Sequence, residues 1–230
     1  MKASALIEIS MGGKRLLGWY CEYMPRDGTA TRTRILDAAE KLVLDKGFAG
    51  TSVDDVISAA TTTKGGFFHH FGSKQELARA LVERYVTADM ELLDDLFSMA
   101  ERLSSDPLQQ LLLFVGLQEE SADQLASAAP GCLYASFMYE QELVDGRTHE
   151  LIAEAVTAWR VRTRAKLEEV AERYPPRLAV DLDALADQGL AIYEGTFVLS
   201  RALGEPELLR GQLRHFRTYL ELLFAPEAAA

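Results

Sequence analysis

Histidine and cysteine are the residue types most often used for metal binding and nucleophilic chemistry, and this chain of 230 residues has four histidines and two cysteines. His69 and His70 are adjacent, so on a helix their side chains point about 100° apart and make a poor metal pair. The other two histidines are isolated. Cys21 and Cys132 form no CxxC pair, so we expect no disulfide framework and no metal site.

Catalytic motifs are missing from the sequence as well. The chain contains no HExxH, GxSxG, P-loop or GxGxxG segment. Its paired acids, Asp54–Asp55 and Glu168–Glu169, are typical of solvated helix faces. We therefore expect no cofactor and no enzymatic activity.

The charge is unevenly distributed along the chain. Of the net charge of −11, residues 86–230 carry −13, whereas 1–28 and 29–85 each carry +1. An acidic body repels phosphate, so any contact with DNA must come from a local surface near the N-terminus. No apolar run reaches the roughly 18 to 20 residues that span a bilayer. Glu8 breaks the first apolar stretch too early for a signal peptide, which predicts a cytoplasmic protein without a membrane partner.

Short helices fill the N-terminal part of the chain. Gly47 suits the left-handed residue that ends a first helix, and Ser52 offers an N-cap to a second. A third helix of two turns follows at Lys64–Phe71, and a capping box at Ser73–Glu76 opens a fourth. Two short helices separated by three or four polar residues are the layout of a helix-turn-helix, whose second helix can enter the major groove.

The rest of the chain is helical too, without a convincing strand. The fourth helix runs towards Leu96, and a leucine-rich segment follows Pro107. Two long amphipathic helices are predicted at 147–174 and 181–203, and a last one ends near Phe224.

These elements predict an all-α protein of two domains. Residues 29–85 form the helix-turn-helix domain, and residues 86–230 form a helical bundle. Residues 1–28 show no sustained period and are predicted to be a poorly ordered extension. A translation start at Met24 is an open alternative for this segment.

One segment carries a specific resemblance. The sequence TSVDDVISAATTTKGGFFHHFGSKQEL, residues 51–77, resembles the DNA-binding domain of the TetR family of regulators, and the match extends over about residues 32–85. The matching features are Thr51–Ser52, Lys64–Gly65, the aromatic-histidine run Phe67–Phe71 and Ser73–Lys74. The resemblance implies a ligand-responsive repressor that binds operator DNA as a homodimer.

The resemblance also implies roles for individual residues. Ser52 and Lys74 would bind phosphate, Lys64 would contact a base or a phosphate, and His69 would lie near the DNA backbone. Phe48, Phe67 and Phe71 would pack inward. The implied DNA-binding residues are Ser52, Thr62, Thr63, Lys64, Gly65, Gly66, Phe68, His69 and Lys74.

The sequence departs from the family pattern at three positions. Thr61 stands where the turn usually has glycine, and it is strained if its φ is positive. Phe68 replaces a usual tyrosine and has no hydroxyl to donate to phosphate. Gly66 replaces a common threonine. These changes predict a lowered or altered operator affinity.

The resemblance extends to the layout of the C-terminal domain, and it implies dimerisation through the helices near 148–174 and 182–203. Small and apolar residues there, among them Ala155, Leu167, Ala191, Gly195 and Leu199, would allow close helix packing. An effector pocket should be apolar and aromatic, which predicts a hydrophobic or aromatic effector, although each of these side chains taken alone is more often plain core than a ligand contact. The candidates are Phe114, Cys132, Tyr134, Phe137, Met138, Trp159, Tyr193 and Phe197.

Two alternatives remain at this stage. Cys132 follows Pro130–Gly131 at a predicted helix start, where the helix dipole would lower the pKa of a thiol and favour electrophile or redox sensing; a buried, inert thiol is the other interpretation. The second alternative is a helical adaptor that binds protein and not DNA. Neutralising Lys64 and Lys74 would leave the partner binding of an adaptor intact.

Overall fold

The structure is a computed structural model that describes residues 30–128 and 131–225, and the side chains of these residues except 123–128 and Gln141. This part of the chain forms nine α-helices and one 3-10 turn and contains no strand, which confirms the all-α prediction. The predicted extension at 1–28 lies outside the described residues. The helices are α1 (Ala30–Lys46), α2 (Val53–Ala59), α3 (Lys64–His70), α4 (Lys74–Leu103), α5 (Pro107–Ala128), α6 (Leu133–Met138), α7 (Gly146–Arg173), α8 (Leu182–Leu203) and α9 (Leu208–Phe224), with the 3-10 turn at Gln141–Leu143.

The first four helices share a hydrophobic core because each buries one apolar face. Ile35 of α1, Val56 of α2 and Phe67 of α3 are completely buried there. Leu81 and Val82 close the core from the N-terminal half of α4. This core fixes how α2 and α3 are presented to the outside.

The same core continues into the C-terminal part of the chain. Leu133 and Phe137 of α6 and Ile152 of α7 are buried in it, and the ring centroids of Phe137 and Phe48 are 5.1 Å apart. The domain boundary predicted at residue 85 falls inside α4, which runs without a break for 30 residues. Helix α6 therefore joins the core of the DNA-binding helices.

A second core holds the remaining helices together. The C-terminal half of α4 packs with α5, α7, α8 and α9 around Phe97, Leu111, Leu167 and Leu220. Glu119, a polar residue buried beside this core, is paired. The carboxylate of Glu119 on α5 lies 2.8 Å from the guanidinium of Arg214, and this ion pair ties α5 to α9.

Helix ends follow the local sequence signals. Gly47 has a φ of 79°, which is the predicted left-handed stop after α1. Helix α4 passes the predicted end at Leu96 because Phe97 and Ala100 keep its apolar face buried, and it ends before Ser104. The leucine-rich segment after Pro107 lies in helix α5, which reaches Ala128. Within the described ranges no helix combines the length and the apolar character needed to cross a membrane.

Candidate DNA-binding surface and effector cavity

A capping box fixes the start of α2. The Oγ of Ser52 accepts a hydrogen bond from the Asp55 N–H (3.1 Å), and the Ser52 N–H donates to Oδ2 of Asp55 (2.9 Å). Lys46 also donates to this carboxyl (2.8 Å), and with the cap it holds the pKa of Asp55 well below its ordinary value. Since the Oγ of Ser52 acts as an acceptor, its hydroxyl hydrogen can still be donated to a phosphate.

The turn between α2 and α3 contains a strained residue. Thr61 has a φ of 50°. Among the residues that the structure describes, it is the one non-glycine residue with a left-handed backbone. A β-branched side chain is unfavourable there, because Cβ approaches the following carbonyl. The turn thus keeps the left-handed conformation that glycine usually provides, and Thr61 adopts it at a cost in conformational free energy.

The start of α3 is capped by Thr63 and needs a glycine. The Thr63 Oγ1 accepts a hydrogen bond from the Gly66 N–H (3.0 Å). A Cβ on Gly66 would lie 2.7 Å from the Thr62 Oγ1 and 3.3 Å from the Thr63 Oγ1, whereas a Cβ on Gly65 would meet nothing closer than 4.0 Å. The absence of a side chain at Gly66 therefore allows both threonines to fold over the helix end.

Helix α3 divides its aromatic residues between core and surface. Phe67 is buried, and Phe71, which follows the helix, is buried beside it. Lys64, Phe68 and His69 are exposed, with 46% of Phe68 accessible. The exposed side of α3 therefore presents an ammonium group, an aromatic ring and an imidazole.

Lys74 differs from the free cation that the resemblance implies. Its Nζ donates to the carbonyl oxygen of Phe48 (2.6 Å) and lies 4.1 Å from the centroid of the Phe48 ring. Burial lowers the pKa of Lys74, and the nearby carboxylate of Glu140 acts in the opposite direction. Lys74 thus ties α4 to the loop after α1.

A cavity of about 120 Å³ lies between α1, α4, α5, α6, α7 and α8. Five of the eight predicted pocket residues line it, namely Cys132, Tyr134, Trp159, Tyr193 and Phe197. The other walls include Tyr85, Leu92 and Leu96 of α4 and Gln118 and Ser121 of α5. The cavity is therefore mainly apolar and aromatic with a few polar groups.

The other three predicted pocket residues lie elsewhere. Phe114 stacks on Phe97, with ring centroids 4.0 Å apart, and lines a neighbouring cavity of about 30 Å³. Phe137 is buried in the core of the DNA-binding helices, and Met138 is exposed. Phe137 and Met138 therefore do not line the cavity with the other predicted residues.

Three carboxyl groups not predicted from the sequence, those of Glu40, Asp89 and Glu194, also line the cavity, and the pKa values of the last two are raised. Asp89 of α4 is buried, and its Oδ2 accepts hydrogen bonds from the Trp159 Nε1–H (2.8 Å) and the Tyr134 hydroxyl (3.0 Å). Burial raises the pKa of Asp89, although these two donors partly offset the effect. Glu194 lies on α8, and burial also raises the pKa of its carboxyl group.

The surroundings of Cys132 do not activate its thiol as a nucleophile. Burial raises its pKa far above the ordinary value, and the facing carboxyl of Glu194 raises it further by charge and by a hydrogen bond. Cys132 is the N-cap of α6, but that helix has only six residues and backbone hydrogen bonds at its start lower the pKa only slightly. The raised pKa therefore favours the interpretation of an inert thiol over that of a thiolate stabilised by the helix dipole.

Sequence profiles identify both halves of the chain. The profile of bacterial regulatory proteins of the TetR family matches residues 35–81, and the profile of tetracyclin repressor-like C-terminal domains matches residues 107–216. Together they cover more than half of the chain. The chain belongs to the TetR family. It is a transcriptional regulator with a DNA-binding helix-turn-helix, and not an enzyme.

Individual relatives agree with this assignment. The transcriptional regulator AcuR of Cereibacter sphaeroides is 26% identical over 190 residues, which cover 83% of this chain and 85% of that protein. The transcriptional repressor DhaR of Mycobacterium sp. (strain GP1) is 23% identical over 170 residues, or 74% and 82% of the two chains. The crystal structure of the regulatory protein TetR from Rhodobacter sphaeroides matches with a TM-score of 0.65 at 25% identity and covers 82% of this chain and 98% of that one.

Sequence reasoning missed the polar cavity residues of this TetR-family regulator, although a signal for them exists. Asp89 is four residues after Tyr85 and seven before Leu96, so it occupies a position on the apolar face of α4. Glu194 likewise lies next to Tyr193 on the cavity side of α8. A carboxyl at an apolar helix position indicates a buried polar site.

Two long-range contacts link the regulator's DNA-binding and C-terminal domains. No local sequence pattern predicts them. Glu140, just after α6, accepts a hydrogen bond from the Ala49 N–H in the loop before α2. Arg201, near the end of α8, donates to the carbonyl oxygen of Asp45 at the end of α1 (2.8 Å). Both contacts reach the segment that leads into the helix-turn-helix.

Proposed function

We propose that this TetR-family regulator is a repressor that binds operator DNA as a homodimer and is released by a small hydrophobic or aromatic effector in the cavity. One observation carries the proposal. Helix α6 lines the cavity with Cys132 and Tyr134 and packs into the core of the DNA-binding helices with Leu133 and Phe137. An effector that moves α6 therefore acts directly on the support of α2 and α3. This function places the protein in the cytoplasm with its DNA.

Operator contact would come from the exposed side of α3 and the starts of α2 and α4. Lys64 is the best placed residue for a base or phosphate contact, and Thr63 and Ser52 can donate their hydroxyl hydrogens because both oxygens already accept cap bonds. Phe68 would contact the DNA through its ring. Lys74 would need to share its ammonium between the Phe48 carbonyl and a phosphate.

The face available for dimerisation lies on α8 and α9. Along α8, Ala191, Gly195 and Leu199 are exposed at helical spacing, and Val198 lies beside them. The small size of Ala191 and Gly195 would permit close packing against the same helix of a second copy. Leu222 of α9 is 62% exposed and would extend this face.

Helix α7, expected to share the interface, fits it less well. Ala155 and Leu167 are buried within the protomer and cannot reach a partner. The outer side of α7 is charged: Arg160 pairs with Asp187 of α8 (2.6 Å), for example. The dimer proposed here therefore uses α8 with α9. Its two α3 helices would need to lie about 34–36 Å apart to enter successive major grooves.

Release would follow from selection of a second conformation. If the effector binds better when α6 is displaced, occupancy shifts the protein to the state in which the two α3 helices no longer match the groove spacing. The Glu140–Ala49 and Arg201–Asp45 contacts would transmit this change to the loop before α2. Repression itself would result from exclusion of RNA polymerase by the bound dimer.

Binding of the purified protein to its own upstream DNA tests the proposal. We expect a specific complex that weakens as salt is raised, and Lys64→Ala should weaken it by about tenfold while Lys64→Arg largely preserves it. The apparent mass of the complex should correspond to two protomers. Equal binding by wild type and Lys64→Ala would contradict the assigned role of α3. No binding to any upstream segment would favour a helical adaptor.

A further inference from the structure

The described lining of the cavity contains acids but no base. The carboxyl groups of Glu40, Asp89 and Glu194 line it, and its described lining residues include no lysine, arginine or histidine. Glu40 has a cationic partner outside the described lining, because the guanidinium of Arg84 bonds to it and to Asp37. Asp89 and Glu194 form no ion pair within the described part of the chain. The interior of the cavity is therefore electronegative.

The two hydrogen bonds of Asp89 use only one of its two carboxyl oxygens. Both donors, the Trp159 N–H and the Tyr134 hydroxyl, bond to Oδ2, and Oδ1 takes part in neither bond. Both donors are neutral. Burying a carboxylate without a cationic partner costs free energy, and a cationic ligand would remove that cost.

Aromatic rings surround these acids. Tyr85 and Tyr134 meet edge to face with centroids 4.8 Å apart, and Tyr193 and Phe197 lie 6.3 Å apart on α8. Trp159 completes the set from α7. The electron-rich faces of such rings attract cations, most strongly where water is excluded.

The size of the cavity limits the ligand. Its volume of about 120 Å³ is slightly smaller than a cavity of roughly 150 Å³ that holds benzene in another protein. A ligand with one six-membered ring or a comparable aliphatic body fits this space.

We propose that the effector is a small organic cation, an amine or quaternary ammonium compound with one ring-sized apolar body, whose charge is bound by the carboxylates of Asp89 and Glu194. This inference rests on the proposed function, since it assigns the chemical class of that effector. The rings of Tyr134 and Trp159 contribute cation–π attraction and hold Asp89 in place. An anionic effector of the same size would meet three carboxyl groups and no base.

Three probes of nearly equal shape test the inference on the full-length protein. Benzylammonium is cationic, benzyl alcohol is neutral and benzoate is anionic at neutral pH. We expect calorimetry to show benzylammonium binding at least about tenfold tighter than benzyl alcohol, and no heat from benzoate. Equal or tighter binding of benzoate would overturn the inference, and so would failure of benzylammonium to bind at millimolar concentration.

Isosteric variants test which carboxyl groups bind the charge of the ligand. Asp89→Asn and Glu194→Gln should each weaken benzylammonium by about tenfold and leave benzyl alcohol nearly unchanged. Asp94→Asn is the matched control, since Asp94 is an exposed acid on the same helix as Asp89. Thermal unfolding of each variant verifies its fold. A loss of affinity for both probes in a folded variant would contradict the charge-specific role of that residue.

Operator binding by the same preparation separates the two proposals. If the protein binds its operator but not benzylammonium, the proposed cationic class of effector is wrong and the proposed regulatory function stands. If it binds benzylammonium but no DNA, the cavity assignment stands and the proposed function fails. Release of the operator by benzylammonium, and not by benzoate, supports both.

Discussion

The carboxylate of Glu140 accepts a hydrogen bond from the backbone N–H of Ala49, which lies 91 residues earlier in the chain. The same carboxylate lies over Gly47, where an added Cβ would be 2.6 Å from its Oε1, and it acts electrostatically on Lys74. Glu140 follows α6 directly. One side chain therefore connects the helix that lines the cavity to the loop that positions α2.

Replacing Glu140 should loosen that loop. Glu140→Ala removes a charge-assisted hydrogen bond, so we expect the free energy of unfolding to fall by about 1.5–3 kcal/mol. Hydrogen exchange at the Ala49 amide should become faster, and operator affinity should decrease. The exposed neighbouring acid provides the control, and Glu142→Ala should change none of these quantities. Unchanged exchange at Ala49 would show that the bond does not hold the loop.

The strain at Thr61 should be measurable as stability. Thr61→Gly relieves an unfavourable left-handed conformation, and this gain exceeds the entropy that glycine loses on folding. We expect the free energy of unfolding to rise by about 0.5–1 kcal/mol in a urea titration. Thr62→Gly, at an adjacent position without a positive φ, should lower it instead. A loss of stability in both variants would refute the strain.

The two glycines of α3 should respond oppositely to alanine. Gly65→Ala has free space and should stabilise the helix by about 0.5–1 kcal/mol. Gly66→Ala places a methyl group against the oxygens of Thr62 and Thr63, so it should stabilise less or destabilise. Thermal unfolding of both variants measures the difference. Equal shifts would mean that the threonines move aside freely.

Cys132 should react slowly. Because the pKa of its thiol is raised by burial and by Glu194, little thiolate is present at neutral pH. In a Cys21→Ser background, we expect iodoacetamide to label the native protein at least about tenfold more slowly than the urea-unfolded chain. The further substitution Cys132→Ser should preserve operator binding and release. Rapid labelling of the native protein would restore the electrophile-sensing alternative.

The charge of Glu194 should make the ligand-free protein less stable as pH rises. Its folded-state pKa is raised, so its contribution to stability is present below the ordinary glutamate pKa and lost as pH passes through the raised value. Glu194→Gln should therefore have a higher Tm than wild type at pH 7, by about 2–4 °C if the charge costs 1 kcal/mol. The titratable groups that share the cavity with it are Glu40, Tyr85, Asp89, Cys132, Tyr134 and Tyr193.

The sign of this effect is checked by repeating the melts at about pH 4, near the ordinary pKa of glutamate, where the two proteins should converge. Glu172→Gln, at an exposed acid on α7, is the control and should follow wild type at every pH. A Glu194→Gln protein that is less stable at pH 7 would show that the carboxylate is needed for packing.

The local parts of the fold were predictable because their signals lie within a few residues. Ser52 and Thr63 cap their helices with side-chain bonds to residues three positions ahead, and Gly47 ends α1 where its type predicts. The positive φ of Thr61 follows from its place in the helix-turn-helix pattern. Such features depend on backbone geometry and not on the rest of the chain.

The cavity was only partly predictable because it depends on which way short helices face. Tyr134 and Phe137 are three residues apart on α6, yet the first lines the cavity and the second enters the neighbouring core. A six-residue helix has too few positions for its apolar pattern to define one face. The contacts of Glu140 and Arg201 join segments far apart in sequence, and no local pattern encodes them.

The double role of α6 has a consequence for altering what the protein detects. Tyr193 and Phe197 border the cavity from α8 and take no part in the core of the DNA-binding helices. Substitutions there should change ligand preference while basal repression remains intact. Tyr134 packs against that core, so changes at this position would alter detection and repression together. A biosensor derived from this chain is therefore best retuned through α8.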